Sequence, residues 1–367
     1  MRIAIIGTRG IPARYGGFET FAQELSTRLV ARGHDVTVFG RTPFFSAIDD
    51  SPYEGVKRCN AWTLFSKYLE TPLAALTSFL ILCSRRDVDV VLLCNAANSI
   101  FAFLPKLFGI PVVINVDGIE RKRAKWGLLG KVWYRLGEFF SALFANCVIA
   151  DANSITQYYS KTFGVSTALI SYGAEKIEPS SESVLEEYSL TRNKYYLYVS
   201  RLEPENNALG VIKAYKLSKK SMPLVIVGDA PYASDYKAAL EKEAKGSSVI
   251  FTGYQFGDAY RELRNNCYLY IQATEVGGTH PALIEGMAAG NCVVANGVPE
   301  HFEVLGGAGV YYSRNDYSHL SRVLNTLAKK PETVEKYGAE AKQRASVRYS
   351  WDKVTNDYEE LFDSVKK

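Results

Sequence analysis

Short runs of apolar, β-branched residues alternate along this chain with longer segments in which apolar residues recur at helical spacing. Residues 2–7 form the first apolar run, residues 18–32 carry apolar side chains every three or four positions, and residues 35–39 form the next run. Each such run predicts a buried strand, and the spacing of the segment that follows predicts an amphipathic helix. Strands that alternate with helices indicate an α/β fold with parallel sheets covered on both faces.

The strand–helix pattern is interrupted once and then begins again. Residues 175–193 are polar, with a run of serines and several glutamates, and they separate two stretches that share the same alternation. We therefore predict a first domain at 1–174, a linker at 175–193 and a second domain at 194–345, both domains doubly wound and Rossmann-like. Such sheets bind ligands at the carboxyl ends of their strands, so the domains are expected to face each other across a ligand cleft.

The last segment, residues 346–367, is charged and has helical spacing. Trp351, Tyr358 and Phe362 are among its apolar anchors. A single helix with one apolar stripe needs a surface on which that stripe can be buried. We predict that this helix packs back on the first domain.

Composition narrows the functional classes. The chain has 367 residues and a formal net charge of +4, which is mild, whereas nucleic-acid binding favours a concentrated basic face. Its six cysteines form no Cys-x-x-Cys pair and its four histidines are scattered, so neither a disulfide framework nor a metal site is expected. The chain starts Met-Arg and passes directly into a strand, and its longest apolar run, 72–83, is too short to span a bilayer. We expect a cytoplasmic location.

Two candidate anion sites occur in the first domain. Gly16 and Gly17 directly precede the helix predicted at 18–32, and a helix N-terminus after glycines presents backbone N–H groups to an anion. The alternative is an NADP site formed by Gly7, Gly10 and Arg41. That loop departs from the Gly-x-Gly-x-x-Gly spacing of dinucleotide sites, but an arginine after the second strand suits the extra phosphate of NADP.

The second domain has its own candidate anion site in residues 271–300, a stretch typical of strand, tight loop, helix and strand. Gly277 and Gly278 let the backbone turn, Pro281 suits the first turn of a helix, and Glu285 follows one turn later. A ligand with a phosphate at the helix N-terminus and hydroxyls that donate to the nearby glutamate would be a nucleotide. An ordinary βα turn with a solvated glutamate is the alternative.

Two charged residues directly follow predicted strands, at the place where open α/β sheets put their chemistry. Asp117 follows the strand at 111–116, and Arg201 follows the strand at 195–200. A guanidinium at that place can bind a diphosphate through two parallel hydrogen bonds. The alternatives are a turn-forming Asp-Gly pair and a surface arginine.

The motifs of both domains resemble those of glycosyltransferase family 4, retaining sugar-nucleotide transferases of the two-domain GT-B fold. Residues 200–206, Ser-Arg-Leu-Glu-Pro-Glu-Asn, are similar to the family's Gly-Arg-Leu segment, which continues through two variable residues to Glu and Lys. Residues 277–285 are similar to its Glu-x7-Glu helix motif. Residues 7–20 and 116–126 resemble a bacterial branch that includes rhamnosyltransferases of capsule and cell-wall polysaccharide assembly. The likeness extends over nearly the whole chain.

The resemblance implies roles for individual residues. Arg201 would bind the donor diphosphate, and Glu285 would bind the ribose hydroxyls. Asp117 and Arg201 are the implied catalytic residues, although many relatives have a histidine near the sugar at the place of Asp117. The residues implied in donor binding are Gly16, Gly17, Arg201, Asn206, Gly278, Thr279, His280 and Glu285. Two positions depart from the family, because Asn206 replaces its lysine and Gly277 replaces its first motif glutamate.

The implied reaction is transfer of a hexosyl group with retained anomeric configuration. Arginine and backbone N–H groups would stabilise the leaving diphosphate, so neither a metal nor a cofactor beyond the donor is expected. Because Gly277 offers no carboxylate to hexose hydroxyls, the best candidate is L-rhamnose, moved from dTDP-L-rhamnose to a lipid-linked glycan. A UDP- or GDP-hexose donor, an NADP-dependent oxidoreductase and a nucleotide-sugar-binding protein without turnover are the alternatives.

Residues 121–135 favour peripheral association with an anionic membrane. Six basic residues there are interleaved with Trp126, Trp133 and Tyr134. Basic residues attract anionic lipid, and aromatic side chains settle at the interface. Such a patch also suits a polyprenyl-linked acceptor at the inner face of the cell membrane. A solvated helix face is the alternative.

Overall fold

The computed structural model describes residues 1–13, 16–42, 44, 51–66, 68–123, 126–174, 183–219, 221–230 and 234–366. The chain divides into two compact units. The first consists of Met1–Gly173 together with Trp351–Lys367, and the second of Ala174–Ser350. The first unit therefore contains both ends of this chain.

Among the described residues, the first unit has a sheet of seven parallel strands. These are β1 (Arg2–Ile6), β2 (Asp35–Arg41), β3 (Lys57–Ala61), β4 (Val90–Cys94), β5 (Val112–Asn115), β6 (Cys147–Ala150) and β7 (Thr167–Leu169). Their order across the sheet is β3-β2-β1-β4-β5-β6-β7. The order reverses at β1 and β4, where Ile3 pairs with both Val36 and Val90. Open α/β sheets position ligands at such a reversal.

The sheet of the first unit is buried by the helices that follow its strands. These are α1 (Gly17–Ala31), α2 (Glu70–Arg85), α3 (Phe103–Leu107), α4 (Leu128–Phe144) and α5 (Asn153–Phe163), with 3-10 turns at Ala96–Phe101 and Glu120–Lys122. Every residue of β4 is buried. Leu93 from this strand shares a core with Phe79 of α2 and Ile155 of α5. A strand covered on both faces is apolar throughout, which is why a continuous apolar run predicts it.

The second unit repeats this architecture with six parallel strands in the part of the chain that the structure describes. These are β8 (Tyr196–Val199), β9 (Leu224–Val227), β10 (Val249–Gly253), β11 (Leu269–Gln272), β12 (Val293–Asn296) and β13 (Val310–Tyr312). Their order is β10-β9-β8-β11-β12-β13, so the strand order again reverses after the first strand of the unit, at β8 and β11.

The helices of the second unit start with one that lies inside the predicted linker at 175–193. They are α6 (Ser183–Glu187), α7 (Ala208–Leu217), α8 (Ser234–Ala244), α9 (Gly257–Asn265), α10 (Pro281–Ala288), α11 (Pro299–Leu305), α12 (Tyr317–Leu327) and α13 (Pro331–Arg348). Within α6, Val184 and Leu185 are buried, and the Leu185 amide donates to Glu262 Oε1 at 2.7 Å. The later part of the predicted linker is therefore packed, while residues 175–182 lie outside the described residues.

The final helix, α14 (Trp351–Lys366), packs on the first unit. The ring centroid of Phe21 in α1 lies 6.3 Å from that of Trp351 and 5.4 Å from that of Tyr358. The sequence pattern places the start of this segment at 346, whereas α14 starts at Trp351 because α13 continues to Arg348. Its aromatic stripe supplies the contact with the first unit.

Candidate functional site

The first predicted anion site lies at the start of α1. The helix begins at Gly17, and Gly16 is its N-cap in an extended conformation, with φ −165°. The Gly16 carbonyl accepts the amides of Glu19 and Thr20 at 3.1 and 3.2 Å, and Glu19 Oε1 accepts the Arg9 amide at 2.9 Å. The structure places both glycines at a helix N-terminus, and their contact with a donor remains a prediction.

Arg41, the residue on which an NADP site would depend, is buried in an internal ion pair. Its Nη1 lies 2.6 Å from Glu70 Oε1, and Arg9 Nε lies 3.0 Å from the same oxygen. Only 6% of Arg41 is exposed, and burial lowers the pKa of its guanidinium. Glu70 therefore neutralises the guanidinium charge of Arg41 that a cofactor phosphate would need. This geometry disfavours the NADP alternative.

Asp117 lies two residues beyond the end of β5, in the left-handed conformation with φ 56°. Its amide donates to Asn115 Oδ1 at 3.1 Å, and its Oδ1 accepts the Tyr172 hydroxyl at 3.2 Å. Burial raises the pKa of Tyr172 well above its usual value, and the Asp117 charge adds to this, so the hydroxyl stays protonated and donates. Asp117 is half-buried, and hydrogen bonds thus hold both its backbone and its carboxylate.

Tyr172 also connects Asp117 to the N-terminal end of α1. Its ring centroid lies 6.5 Å from that of Phe18 and 5.6 Å from that of Phe21, both in edge-on geometry. Phe18 directly follows Gly17. The structure therefore brings the two candidate elements of the first unit, the start of α1 and Asp117, together around one tyrosine.

Arg201 and Asn206 lie in the loop that follows β8. The Arg201 carbonyl accepts the Asn206 side chain at 2.7 Å and the Glu203 amide at 2.8 Å. Asn206 is buried, and its own carbonyl accepts the Tyr198 hydroxyl at 2.5 Å. The Arg201 side chain remains 30% exposed. Where the family has a lysine, this chain has an amide that fixes the loop presenting Arg201.

The loop before α10 is shaped by Gly277. Its φ is +153°, and a Cβ at this position would lie 2.6 Å from His280 Cε1. The helix begins at Pro281 with His280 as its N-cap, and the His280 carbonyl accepts the amides of Leu283 and Ile284 at 3.0 and 3.3 Å. Glycine at 277 thus has a local cause, because the His280 ring occupies the place of a side chain. Thr279 is buried in the same turn.

Glu285 is held by two residues of α9 that were not predicted from the sequence. The Tyr260 hydroxyl donates to Glu285 Oε2 at 2.6 Å, and Arg264 Nη1 lies 3.8 Å from the same oxygen. Burial is the largest cause that raises the pKa of Tyr260, with the Glu285 charge next. Their spacing of four residues places Tyr260 and Arg264 on the same face of a predicted helix, and this shared face was the only indication in the sequence that they act together. The glutamate is oriented rather than simply solvated.

His301, also not predicted from the sequence, packs behind His280. The two ring centroids are 5.4 Å apart, and His301 Nδ1 lies 3.0 Å from the Asn296 carbonyl. His301 is fully buried, and burial lowers its pKa to about 4. At neutral pH it is therefore an uncharged ring that donates from Nδ1 to Asn296 and supports His280.

A carboxylate is present in the loop that holds Gly277, two positions earlier in the chain. Glu275 Oε2 accepts Arg314 Nη2 at 2.8 Å, and its amide donates to the Glu205 carbonyl at 2.9 Å. That second bond joins this loop to the one that carries Arg201 and Asn206. The structure therefore brings Arg201, Asn206 and the turn before α10 onto two connected loops, with Glu285 in the helix that follows and an unforeseen carboxylate in the second loop.

The segment predicted to meet a membrane is only partly exposed. Tyr134 is buried, Trp133 Nε1 donates to the Ala97 carbonyl at 3.1 Å, and Arg121 Nε lies 3.0 Å from Glu138 Oε1. Lys122 and Lys131 are exposed, while residue 125 lies outside the described residues. The expectation is wrong for Tyr134, which packs inside the unit, while Trp133 is half-buried with its indole N–H directed inward.

Within the described residues, no cluster of three or more His, Cys, Asp or Glu side chains is arranged to hold a metal ion. None of the helices in that part of the chain combines the length and the apolar character that crossing a membrane requires.

Comparison with known proteins finds relatives that are similar to this chain in sequence. The chain is 27% identical over 150 residues to O-antigen chain mannosyltransferase B of Escherichia coli, a match that spans 39% of each protein. It is 21% identical over 296 residues to the N-acetylgalactosamine-N,N'-diacetylbacillosaminyl-diphospho-undecaprenol 4-alpha-N-acetylgalactosaminyltransferase of Campylobacter jejuni, across 78% of this chain and 79% of that protein.

Solved structures confirm the expected GT-B fold. Sucrose-phosphate synthase from Thermosynechococcus elongatus matches with a TM-score of 0.84 and 16% identity, over 99% of this chain and 98% of that one. Anabaena HepE in complex with UDP and glucose matches with a TM-score of 0.81 and 18% identity, over 99% and 100%. The model for Glycosyltransferase Family 4 matches residues 15–173, and that for Glycosyl transferases group 1 matches residues 184–344. With both units matched, the chain belongs to the family 4 glycosyltransferases of the GT-B fold.

Proposed function

We propose that this protein is a retaining glycosyltransferase that moves a sugar from a nucleotide donor to a lipid-linked glycan, without a metal ion. The observation that carries the proposal is the placement of Glu285, one turn inside α10 and oriented by Tyr260 and Arg264. An oriented carboxylate beside a helix N-terminus matches a ribose diol next to phosphate oxygens. Membership of the glycosyltransferase family supports this assignment.

On the donor side, we assign the diphosphate to Arg201 and to the backbone N–H groups that follow Gly278. Arg201 lies partly exposed on a loop tied by Asn206, so little ordering is needed when the donor binds. Thr279 and His280 then line the sugar pocket. Charge gathers on the diphosphate as the glycosidic bond breaks, and preorganised donors stabilise that charge without a metal.

Asp117 is assigned to the transfer step. Its carboxylate is held by Tyr172, and its backbone by Asn115. A fixed negative charge can orient an acceptor hydroxyl or stabilise positive charge that develops on the sugar ring. Gly16 and Gly17 complete the first-unit contribution through their backbone N–H groups.

For the donor, dTDP-L-rhamnose remains our best candidate, with a UDP- or GDP-hexose as the alternative. Gly277 supports rhamnose, because no carboxylate at that position binds hexose hydroxyls. Glu275 favours the alternative, since its carboxylate lies in the same loop. The names of the relatives refer to mannose and N-acetylgalactosamine, and HepE was solved with UDP and glucose.

The proposed acceptor is a sugar on a polyprenyl diphosphate, which places the enzyme at the inner face of the cell membrane. The Campylobacter relative is named for a diphospho-undecaprenol substrate, which supports this class of acceptor. The exposed Lys122 and Lys131 suit an anionic lipid surface, where each basic residue contributes about 1 kcal/mol.

The test is a panel of nucleotide sugars examined by calorimetry and by nucleotide release with a polyprenyl-linked acceptor. We expect tightest binding of dTDP-L-rhamnose, with acceptor-dependent release of dTDP. Tighter binding of UDP-glucose or UDP-N-acetylglucosamine would overturn the rhamnose assignment. Binding without release would instead indicate a nucleotide-sugar-binding protein.

A further inference from the structure

The outer face of α4 carries a row of large apolar side chains. Leu128 and Leu129 at its start are 79% and 80% exposed. The other exposed members of the row are Val132, Leu136, Phe139 and Leu143. At 3.6 residues per turn these six positions fall within an arc of about 100° that follows the whole helix. We call this row the outer face of α4.

The inner face of the same helix is made mostly of small and polar residues. Gly130, Gly137 and Ser141 are buried there, together with Glu138 and the aromatic Tyr134. A Cβ at Gly137 would collide with the Ala96 carbonyl, so the helix approaches the main chain too closely for a large side chain. The leucines of α4 thus point away from the unit, whereas a helix that covers a core turns its leucines inward.

Among the described residues of α4 and of the turn just before it, the exposed charged side chains are all basic. Lys131 is exposed on α4, and Lys122 is exposed just before it. The one carboxylate of the helix, Glu138, is 3% exposed and accepts Arg121 Nε and Arg135 Nη1 at 3.0 and 3.3 Å. A partner with negative charge around an apolar interior complements this surface.

An exposed aromatic side chain, Tyr68, lies next to the start of α4. The ring centroid of Tyr68 is 6.5 Å from that of Trp126, which is 5.1 Å from that of Tyr134 in α4. Tyr68 is 51% exposed, and its neighbours in the sequence Trp62, Leu64, Phe65 and Leu69 are exposed as well. The exposed apolar surface therefore continues past the start of α4 to Tyr68, and contiguous exposed apolar surface marks an interaction site.

We propose that the outer face of α4 inserts into the interface of an anionic bilayer, with the helix lying in the membrane plane. The inference rests on the proposed function for its setting and identifies the side chains that enter the lipid. The apolar row supplies most of the binding, while Lys122 and Lys131 remain among the head groups. Attachment is therefore driven by burial of leucine and phenylalanine, with charge as the smaller contribution.

A second copy of the chain is the competing occupant. The alternating three- and four-residue spacing of Leu129, Val132, Leu136, Phe139 and Leu143 also suits a helix pair. In a two-fold pair, however, Lys131 would meet basic residues of the other copy, and α4 has no exposed carboxylate to balance them. Charge complementarity therefore favours lipid.

The experiment is flotation of the whole chain with vesicles of phosphatidylcholine and phosphatidylglycerol, at low and at high salt. The test variant is Leu136→Gln with Phe139→Gln, which leaves the net charge unchanged. The matched control is Leu217→Gln with Val347→Gln, two exposed apolar residues of the second unit. We expect the test variant to lose vesicle partitioning about tenfold or more, and the control to float like the unmodified chain.

The unmodified chain should also keep most of its vesicle binding at high salt. Binding that vanishes at high salt, or a test variant that floats normally, would overturn insertion. A dimer in light scattering that the test variant converts to monomer, with vesicle binding unchanged, would assign the face to a second copy. Donor binding is measured in parallel, because its failure with normal flotation would count against the proposed function alone.

Discussion

The Asn115 side chain donates a hydrogen bond from Nδ2 to the Tyr358 hydroxyl, 2.9 Å away, although the two residues are 243 positions apart. Asn115 ends β5, and its Oδ1 accepts the amide of Asp117. Tyr358 belongs to α14, the last helix of the chain. One amide side chain thus connects that helix to the backbone that presents Asp117.

This connection predicts that Tyr358→Phe lowers turnover while donor affinity stays unchanged. Removing the hydroxyl leaves a buried amide without that partner, at a cost of about 1–3 kcal/mol, and loosens the Asp117 turn. We expect a fall in kcat of several-fold and a normal donor Kd by calorimetry. Tyr53→Phe, which removes a partly exposed hydroxyl of the same unit, is the control. A normal kcat in Tyr358→Phe would show that the contact serves stability alone.

Asp117→Asn is predicted to slow sugar transfer more strongly than Tyr358→Phe does. The amide keeps the size of the side chain but removes the negative charge, so a step that uses this charge should slow at least about tenfold. Donor Kd should stay within about twofold of the unmodified value, because the assigned donor contacts lie on other residues. Parallel kcat and Kd measurements decide this. Equal losses in both would make Asp117 a structural turn residue.

Glu285→Ala and Arg201→Ala are each predicted to weaken nucleotide-sugar binding by roughly 10- to 100-fold, as expected for loss of a charge-assisted hydrogen bond. Tyr260→Phe should have a smaller effect in the same direction, because it frees Glu285 to rotate. Glu241→Ala, at an exposed glutamate of the second unit, is the matched control. Calorimetry with the best donor measures the change. Wild-type affinity in a folded Glu285 variant would refute the assigned donor site.

Gly277→Ala is predicted to destabilise the second unit and weaken donor binding together. The positive φ of Gly277 strains any other residue, and the new methyl group would push His280 away from its place. A cost of about 1–3 kcal/mol is expected. Gly307→Ala is the control, because a Cβ there meets nothing within 4 Å. Thermal unfolding and donor titration measure both effects, and equal stability of the two variants would contradict the prediction.

His301 predicts a loss of stability in mild acid. Its folded pKa of about 4 lies below the usual value of 6.5, so the unfolded chain takes up the proton first as the pH falls. The free energy of unfolding should therefore be lower at pH 5 than at pH 7 by about 2 kcal/mol from this residue alone. In His301→Asn, urea unfolding should show a correspondingly smaller pH dependence. His319→Asn is the control, and the same slope in both variants would exclude His301 as the cause.

Local sequence signals were enough for the strands and for several helix boundaries. The fully buried β4 follows from an uninterrupted apolar run, and α10 begins at Pro281 as expected after two glycines. Both depend on neighbouring residues alone, since burial of a whole strand requires apolar residues throughout and proline favours a first helical turn. The motifs around Arg201 and Glu285 were likewise sufficient to indicate the family.

Contacts made across the fold were decided only by the tertiary structure. Nothing near Glu285 in the sequence indicates Tyr260 or Arg264, because α9 reaches Glu285 only once both helices have packed on the sheet. The same holds for Tyr358 and Asn115. For α4, the sequence shows an apolar stripe, but a stripe does not state which way it faces. The close approach of Gly137 to Ala96 requires small residues on the inside, and the leucines are therefore left outside.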